Sequence, residues 1–296
     1  MLRRLLRLYL ADPLEAFGVW LALKVFRQMP IDRASAVGGF LGRLLGPKLG
    51  VSRVAETNLA RAFPEMSPEG RRRVLHGMWD NLGRVATEYA HLDKIQIYGG
   101  DGRVDVVGAE NVARLRDDGV GGIFFSAHFG NWEIASMGAT QRGMPITHIY
   151  RAANNRLIER MLRRTRSVIE GSHHPKGAEG AKTLIKALAR GEHLGMVVDQ
   201  KMNDGIPVPF FGRDAMTAPA LAQLALKFRC PVVPVRVDRL EGARFRLTVF
   251  SPMDLPNSGD RQADAVETMR RVNALFESWI RARPEQWLWV HRRWPD

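Results

Sequence analysis

The sequence predicts an α/β fold in which a mostly parallel central sheet is flanked by helices and preceded by a helical N-terminal extension. Up to about residue 95 the apolar pattern is helical, whereas from about residue 103 short β-rich runs alternate with helical runs. Such alternation is typical of parallel sheets with helices on both faces. We therefore expect a helical region over residues 1–95 and an α/β core over residues 96–296 that forms one continuous unit.

The predicted elements follow one another in a regular order. In the N-terminal region, Ser67 suits the N-cap of a helix and Pro68 suits its first position. The β-rich runs of the core are RVDVVG, GGIFFSA, PITHIYR, HLGMVVD and PVVPVRV. The run FRLTVFSP (245–252) is predicted to be an edge strand, and residues 260–283 are predicted to form the last helix. In such sheets, ligands bind beyond the carboxyl ends of the strands.

The formal net charge of +13, with a pI of about 10.6, points to a negatively charged partner. Nucleic acid, an anionic membrane surface, an acidic protein and a phosphorylated substrate all have the right charge, while the codon bias of a GC-rich genome is an alternative source of the many arginines. The sequence has no zinc-finger, RNA-binding or helix-turn-helix signature, which argues against nucleic acid. The single cysteine, Cys230, excludes a disulfide framework and is expected to open a buried strand.

The first thirty residues are predicted to associate with a membrane without clearly crossing it. The longest uninterrupted apolar run is Ala16–Leu23, far short of the ~20 residues that a span needs, and no signal-peptide cleavage site follows. On a helical wheel one face carries Leu2, Leu5, Leu6, Tyr9 and Leu10, and another carries Arg3, Arg4 and Arg7. This pattern favours a helix lying in the interface near anionic lipid, and a surface helix packed on its own domain is the alternative.

The stretch SAHFGNWE (126–133) places His128 and Glu133 directly after a predicted buried strand. A separation of five residues puts two side chains about 140° apart on a helix and on opposite faces of a strand, so the pair can meet only if the chain turns between them. Gly130 can adopt a positive φ, Asn131 can cap a helix, and Glu133 would then lie in the first helical turn.

This arrangement suits acyl transfer to an alcohol from an activated thioester. Glu133 could hydrogen-bond one imidazole nitrogen of His128, leaving the other to take a proton from a substrate hydroxyl. The following helix N-terminus could present N–H groups to an oxyanion or a phosphate. The alternative is a histidine at a strand end that is merely satisfied by a neighbouring carboxylate.

HFGNWE resembles the H-x4-D/E motif of the glycerolipid and lysophospholipid acyltransferase superfamily, and more specifically the late acyltransferases of lipid A biosynthesis, the lauroyl/myristoyl transferase group. Further stretches agree with that group in order along roughly the whole chain. They are YRAANN (150–155), RSVIEG (166–171), VVDQKMNDGIPVPFFG (197–212), MTAPALAQLAL, PVVPV and RPEQWLWVHRRW (283–294).

The resemblance implies an acyl carrier protein thioester as donor, a hydroxyl on a lipid A precursor as acceptor, and no metal or organic cofactor. It places the enzyme on the cytoplasmic face of the cell inner membrane, although the expected spanning helix is short and interrupted here. It implies that His128 is the general base and Glu133 its partner. The substrate-binding residues that we carry over are Arg166, with Arg164 as the alternative, Asp199, Arg151 and Asn131. A related membrane acyltransferase acting on glycerol phosphate or another glycolipid, or a non-catalytic basic binding protein, is the competing interpretation.

A basic helix is predicted over residues 154–169. Four arginines, Arg156, Arg160, Arg163 and Arg164, fall within about 100° on a wheel, and could bind sugar phosphates or an acidic carrier protein unless they form a solvated face. His173 and His174 are expected in a loop without a catalytic role. Trp287, Trp289 and Trp294, together with His291, are expected to be structural or interfacial.

Overall fold

A computed structural model describes residues 10–150, 152–166, 172–175 and 177–295. From residue 10 to residue 88, the described chain contains four α-helices: α1 (Asp12–Arg27), α2 (Ile31–Leu45), α3 (Ser52–Ala62) and α4 (Pro68–Glu88). A 3-10 helix, Tyr89–Lys94, follows them. The helical pattern predicted before residue 95 is therefore confirmed over residues 10–94, and residues 1–9 of the predicted interfacial helix lie outside the described part of the chain.

Helix α4 begins as the sequence predicts. The Ser67 hydroxyl accepts a hydrogen bond from the backbone N–H of Gly70 at 3.1 Å, and Pro68 occupies the first turn. Helix α2 packs so closely against α4 that a Cβ on Gly42 would lie only 2.0 Å from the carbonyl oxygen of Trp79. The contact therefore requires glycine at position 42.

Over the described residues, the central sheet has seven strands in the order β1-β9-β8-β2-β5-β3-β4. These strands are β1 (Val104–Val107), β2 (Ile123–Ser126), β3 (Ile146–Tyr150), β4 (His173–Pro175), β5 (His193–Val197), β8 (Val232–Arg239) and β9 (Phe245–Val249). All neighbouring pairs are parallel except β8 and β9. The prediction of a mostly parallel sheet is confirmed.

Helices cover both faces of this sheet. They are α5 (Ala109–Asp117), α6 (Glu133–Thr140), α7 (Arg156–Arg166), α8 (Ala178–Ala189), α9 (Ala220–Phe228) and α10 (Arg261–Ala282), followed by a 3-10 helix, Pro284–Gln286. Successive residues of β2 belong to separate apolar clusters, because strand side chains alternate between faces. Phe125 packs in a cluster with Phe276 of α10, and Phe124 packs in a cluster with Ile134 of α6.

Three local predictions need correction. The strand β9 is not at an edge, since it pairs with both β1 and β8. His173 and His174 lie in the edge strand β4, in register with His148 and Ile149 of β3, rather than in a loop. The segment after β5 forms an unanticipated antiparallel hairpin of β6 (Lys201–Phe210) and β7 (Arg213–Thr217), with Phe211 and Gly212 at positive φ in its turn.

Helix α1 has an apolar surface that the rest of the described chain does not cover. Its exposed large apolar side chains include Leu14, Phe17, Trp20, Leu21 and Val25. Phe17 and Trp20 stack, with their ring centroids 5.8 Å apart. Within the described ranges, no helix is both long enough and apolar enough to cross a bilayer.

Candidate active site

The residues from His128 to Glu133 form a tight connection between β2 and α6. Strand β2 ends at Ser126, and Gly130 has a φ of +56°. A Cβ on Gly130 would lie 1.9 Å from the carbonyl oxygen of Val237 in β8, so this turn requires glycine sterically as well as conformationally. The predicted strand-to-helix turn between His128 and Glu133 is therefore confirmed.

The carboxylate beside the His128 imidazole belongs to Asp199. The ring Nδ1 of His128 lies 2.8 Å from Asp199 Oδ1, and the backbone N–H of His128 donates to Oδ2 at 2.9 Å. The indole N–H of Trp287 also donates to Oδ2, at 2.8 Å. Asp199 follows β5, which pairs directly with β2, so the carboxyl ends of two parallel neighbours bring the two residues together.

Asp199 is buried, yet its surroundings favour the ionised form. Burial alone would raise the pKa of this carboxyl, but the charge of His128 and the hydrogen bonds from His128 and Trp287 outweigh it and hold the pKa well below its ordinary value. An ionised acceptor at Nδ1 favours the tautomer that carries its proton on that nitrogen. The Nε2 atom of His128 is then available as a proton acceptor.

Glu133 forms its hydrogen bonds with Tyr89 and Arg166 and not with the imidazole, so the prediction that it orients His128 is wrong. Its Oε1 atom accepts hydrogen bonds from the Tyr89 hydroxyl at 3.2 Å and from an Arg166 guanidinium nitrogen at 2.9 Å. The reason is local: Glu133 is the first residue of α6, and its side chain lies against α7 and the 3-10 helix that starts at Tyr89. Asp199, which follows β5, lies beside Nδ1 instead.

Arg166, predicted to bind substrate, lies in a partly buried aromatic setting. Its guanidinium carbon is 5.6 Å from the ring centroid of Tyr89 and 5.4 Å from that of Tyr150. Burial alone would lower the pKa of Arg166, but the charge of Glu133 raises it on balance. Burial and the nearby Glu133 charge also raise the pKa of Tyr89, so its hydroxyl remains a donor. Together, Tyr89, Glu133 and Arg166 form an ionic cluster beside the turn.

Two residues that sequence reasoning did not assign to catalysis lie on the Nε2 side of His128. The side-chain nitrogen of Gln200 is 3.3 Å from His128 Nε2 and 2.8 Å from His291 Nε2. The rings of His128 and His291 have centroids 5.5 Å apart, and Trp132 packs edge-on to His128 at 5.1 Å. The position of Gln200 next to Asp199 was the signal that could have identified it.

The remaining predicted site residues are dispersed. Asn131 is fully buried and donates from Nδ2 to Glu88 at 2.8 Å, so it fixes the turn, and the N-cap of α6 is Trp132 rather than Asn131. Arg164 is exposed on α7 and lines a surface cleft. Arg151 lies outside the described residues. The arginine side chains of the predicted basic stripe on α7 are exposed.

The C-terminal segment around Trp287 contacts the turn between His128 and Glu133. Gly130 donates its backbone N–H to Gln286 at 3.0 Å, and Phe129 forms an isolated antiparallel bridge with Trp287. Trp287 and Trp289 are almost completely buried, which agrees with the structural role predicted for them. Across the residues that the structure describes, no group of three or more His, Cys, Asp or Glu side chains could hold a metal ion.

Comparison with known proteins identifies the family. The family described as bacterial lipid A biosynthesis acyltransferase matches residues 8–296. The chain is 27% identical to the lipid A biosynthesis lauroyltransferase of Escherichia coli (strain K12), over 93% of the chain and 88% of the relative. It is 28% identical to the myristoyltransferase of the same strain, over 93% and 85%. It is also 26% identical to the palmitoleoyltransferase, over 90% and 86%. Because the match extends over nearly the whole sequence, the chain belongs to the bacterial lipid A biosynthesis acyltransferase family.

Proposed function

We propose that the protein transfers a fatty acyl group, lauroyl or myristoyl, from an acyl carrier protein thioester to a hydroxyl of a lipid A precursor. The observation that carries the mechanism is the His128–Asp199 pair, in which a buried carboxylate holds Nδ1 and leaves Nε2 to act as a base. The names of the three relatives support a lipid A acceptor. These names specify three different acyl groups, and the chain has nearly the same sequence identity to each relative.

In the proposed reaction, Nε2 of His128 takes the proton from the acceptor hydroxyl as its oxygen attacks the thioester carbonyl carbon. The C–O bond forms, and the resulting tetrahedral oxyanion is stabilised by N–H groups at the start of α6. The intermediate collapses with cleavage of the C–S bond, and the imidazolium returns its proton to the departing thiolate. Asp199 stabilises the imidazolium while it exists.

Glu133 and Arg166 act in this proposal as positioning residues. Their ion pair joins the first residue of α6 to the last residue of α7, and the Tyr89 hydroxyl adds a third partner. The pair therefore fixes the start of α6, where the oxyanion forms. An exchange that keeps the shape of Glu133 but removes its charge would release Arg166 from this position.

The surfaces around the site support the proposed partners and location. The exposed apolar side chains of α1, together with the net charge of +13, favour attachment to an anionic membrane surface, which we place at the cytoplasmic face of the inner membrane. The exposed arginines on α7 have the charge that an acidic carrier protein requires.

The test is transfer by the purified full-length protein from lauroyl and myristoyl carrier-protein thioesters to a lipid A precursor in detergent micelles. His128→Ala is expected to lower kcat by ~10²–10⁴-fold while the circular dichroism spectrum is unchanged. Near wild-type transfer by a folded His128→Ala protein would refute the mechanism. Glycerol 3-phosphate serves as the control acceptor, and mass spectrometry of lipid A from cells with and without the gene identifies the acyl group.

A further inference from the structure

We propose that the outer face of helix α2 is a second membrane-contact surface, separate from α1, which lies against the headgroups of an anionic bilayer. This outer face consists of the exposed apolar residues at and just beyond α2, which are Val37, Phe40, Leu41, Leu44, Leu45, Leu49 and Val51. The inference rests on the membrane attachment in the proposed function, which it extends from α1 to another part of the chain.

Helix α2 has small residues on its inner side and large apolar residues on its outer side. On the inner side, a Cβ on Gly38 would lie only 2.4 Å from the carbonyl oxygen of Gly83 in α4. On the outer side, four residues share the i, i+3, i+4, i+7 spacing and fall within about 100° on a helical wheel. They are Val37, Phe40, Leu41 and Leu44. A helix on a water-soluble surface buries such a stripe, whereas α2 exposes it.

The exposed apolar side chains of the outer face are large and close together in the chain. In the part of the chain that the structure describes, Phe40 is 56% exposed, Leu45 is 52% exposed and Leu49 is 50% exposed. Scattered apolar residues are normal on a protein surface, but a dense group of this kind marks an interaction site. The face is also continuous in sequence with the exposed apolar surface of α1, because only residues 28–30 separate the two helices.

The charge of this segment identifies what covers it. From residue 33 to residue 55 the sequence has four cations and no carboxylate. Arg43 is paired with Asp80 of α4. The other three cations are exposed, and they are Arg33, Lys48 and Arg53. Apolar surface flanked by cations suits an anionic lipid interface, whereas a second copy of the chain on the same face would bring like charges together.

Helix α2 is joined to the active-site turn by buried hydrogen bonds. The Ser35 hydroxyl of α2 donates to the Glu88 carboxylate at 2.7 Å, and the same carboxylate accepts the Asn131 side chain at 2.8 Å. Asn81 of α4 donates to the carbonyl oxygen of Gly130 at 3.0 Å. A bilayer bound at the outer face of α2 would therefore be held at a fixed distance from the turn that carries the catalytic histidine.

The direct test attaches the environment-sensitive fluorophore NBD to the full-length protein at Phe40→Cys, in a Cys230→Ala background. The vesicles are phosphatidylcholine with about 30% phosphatidylglycerol, which supplies the negative charge. We expect vesicles to shift the emission to shorter wavelength and to protect the label from an aqueous quencher, because the label enters the lipid. The matched control is Ile185→Cys, an exposed apolar position on α8, which should show neither change.

Substitutions on the outer face provide the second measurement, binding of the folded protein to the same vesicles. Phe40→Gln/Leu44→Gln should weaken binding by at least about tenfold, because two apolar side chains no longer leave water. Lys48→Glu/Arg53→Glu should weaken binding to the anionic vesicles by a similar factor, and to vesicles of phosphatidylcholine alone by less than about threefold. The control for both is Ile185→Gln, which should leave binding unchanged.

Three outcomes would overturn the inference. If vesicles bind the protein but leave the label at Phe40→Cys unchanged, α1 alone attaches the protein and the proposed function stands. A label that shifts with protein concentration in the absence of vesicles would show a second copy of the chain on this face. Wild-type protein that binds no vesicles would refute membrane attachment altogether, and transfer in detergent micelles tests the proposed reaction separately.

Discussion

His128 and Asp199 are joined through both the ring and the backbone of the histidine. One carboxylate oxygen lies 2.8 Å from Nδ1, and the other accepts the backbone N–H of His128 at 2.9 Å. The same carboxylate is anchored by the indole of Trp287. Asp199 thus controls the position of the loop, the orientation of the ring and the tautomer of the imidazole at once, which no other described side chain around His128 does.

Asp199→Asn should therefore lower kcat by about 10²–10⁴-fold, because an amide that donates to Nδ1 would leave the proton on Nε2. The measurement is the pH–rate profile together with urea unfolding. Asp199 has a lowered pKa in the folded state, so its ionised form contributes stability above its ordinary pKa of 3.8, and that contribution is lost as the pH falls through the lowered value. The stability difference between wild type and variant should shrink as the pH falls below 4. A difference that instead grows in acid would contradict this assignment.

Gln200 bridges the two histidines from the side where the acceptor hydroxyl is expected. Gln200→Glu would place a carboxylate beside His128 Nε2 and stabilise the imidazolium, so the acid limb of the kcat/KM profile should move to higher pH. Gln200→Ala should lower kcat/KM by roughly tenfold without moving that limb. Gln262→Glu, on the exposed start of α10, is the matched control. An unmoved acid limb in a folded Gln200→Glu protein would remove Gln200 from the site.

The Glu133–Arg166 pair should behave as one unit. Glu133→Gln and Arg166→Gln each leave the partner charge partly buried and unmatched, so each should reduce kcat/KM strongly, with Arg166→Gln also raising an apparent KM. In the double variant neither charge remains, and its loss should be smaller than the sum of the two single losses in free energy. The measurement is a double-mutant cycle on kcat/KM. Strict additivity would mean that the two residues act independently.

The sequence was most informative where the chemistry is local. The turn between His128 and Glu133 followed from their spacing and from Gly130, because a single glycine supplies the backbone conformation that the turn needs. The partner of His128 could not be read from the same stretch, since Asp199 lies 71 residues further along the chain and reaches the ring only through the pairing of β2 with β5. The sequence therefore predicts the nearby Glu133 as the partner of His128, whereas the order of the strands places the distant Asp199 beside the imidazole.

The same difference between local sequence signals and long-range strand pairing explains the errors in the predicted fold. The periodicity of apolar residues predicts the strand β9 but not its neighbours in the sheet, because the pattern of one strand does not specify which strands pair with it. The hairpin of β6 and β7 was missed because it contains Gly205, Pro207 and Pro209, residues that usually interrupt strands. It tolerates them because the two-stranded sheet leaves β6 with a partner on one side only.

Gly130→Ala should damage the site without touching a reacting atom. The added Cβ would collide with the backbone of Val237 and would also strain a φ of +56°. The loop that carries His128 would have to move, and displacements of about 1 Å cost on the order of 10²-fold in rate. Gly143→Ala is a suitable control, because that glycine also has a positive φ, of +72°, but its Cβ would meet nothing within 4 Å. Equal effects of the two changes on kcat would show that backbone strain alone, and not the clash, is responsible.

A buried ion pair beneath the turn should dominate the stability of the same region. Glu88, the last residue of α4, is fully buried and receives two Arg239 nitrogens at 2.6 and 3.0 Å, as well as the Asn131 side chain that fixes the turn. Glu88→Gln leaves the Arg239 charge buried without its counter-ion, so we expect the free energy of unfolding to fall by about 3–5 kcal/mol in urea at pH 7.

The matched control is Glu69→Gln, at the exposed start of the same helix, which should have a much smaller effect, since its pair with Arg72 is open to solvent. Glu88→Leu/Arg239→Met, which removes both charges, should recover part of the loss seen in Glu88→Gln. If the charge-free pair were instead less stable than Glu88→Gln alone, the hydrogen bonds that Arg239 keeps with Asn81 and Gly242 would outweigh the cost of its unmatched charge.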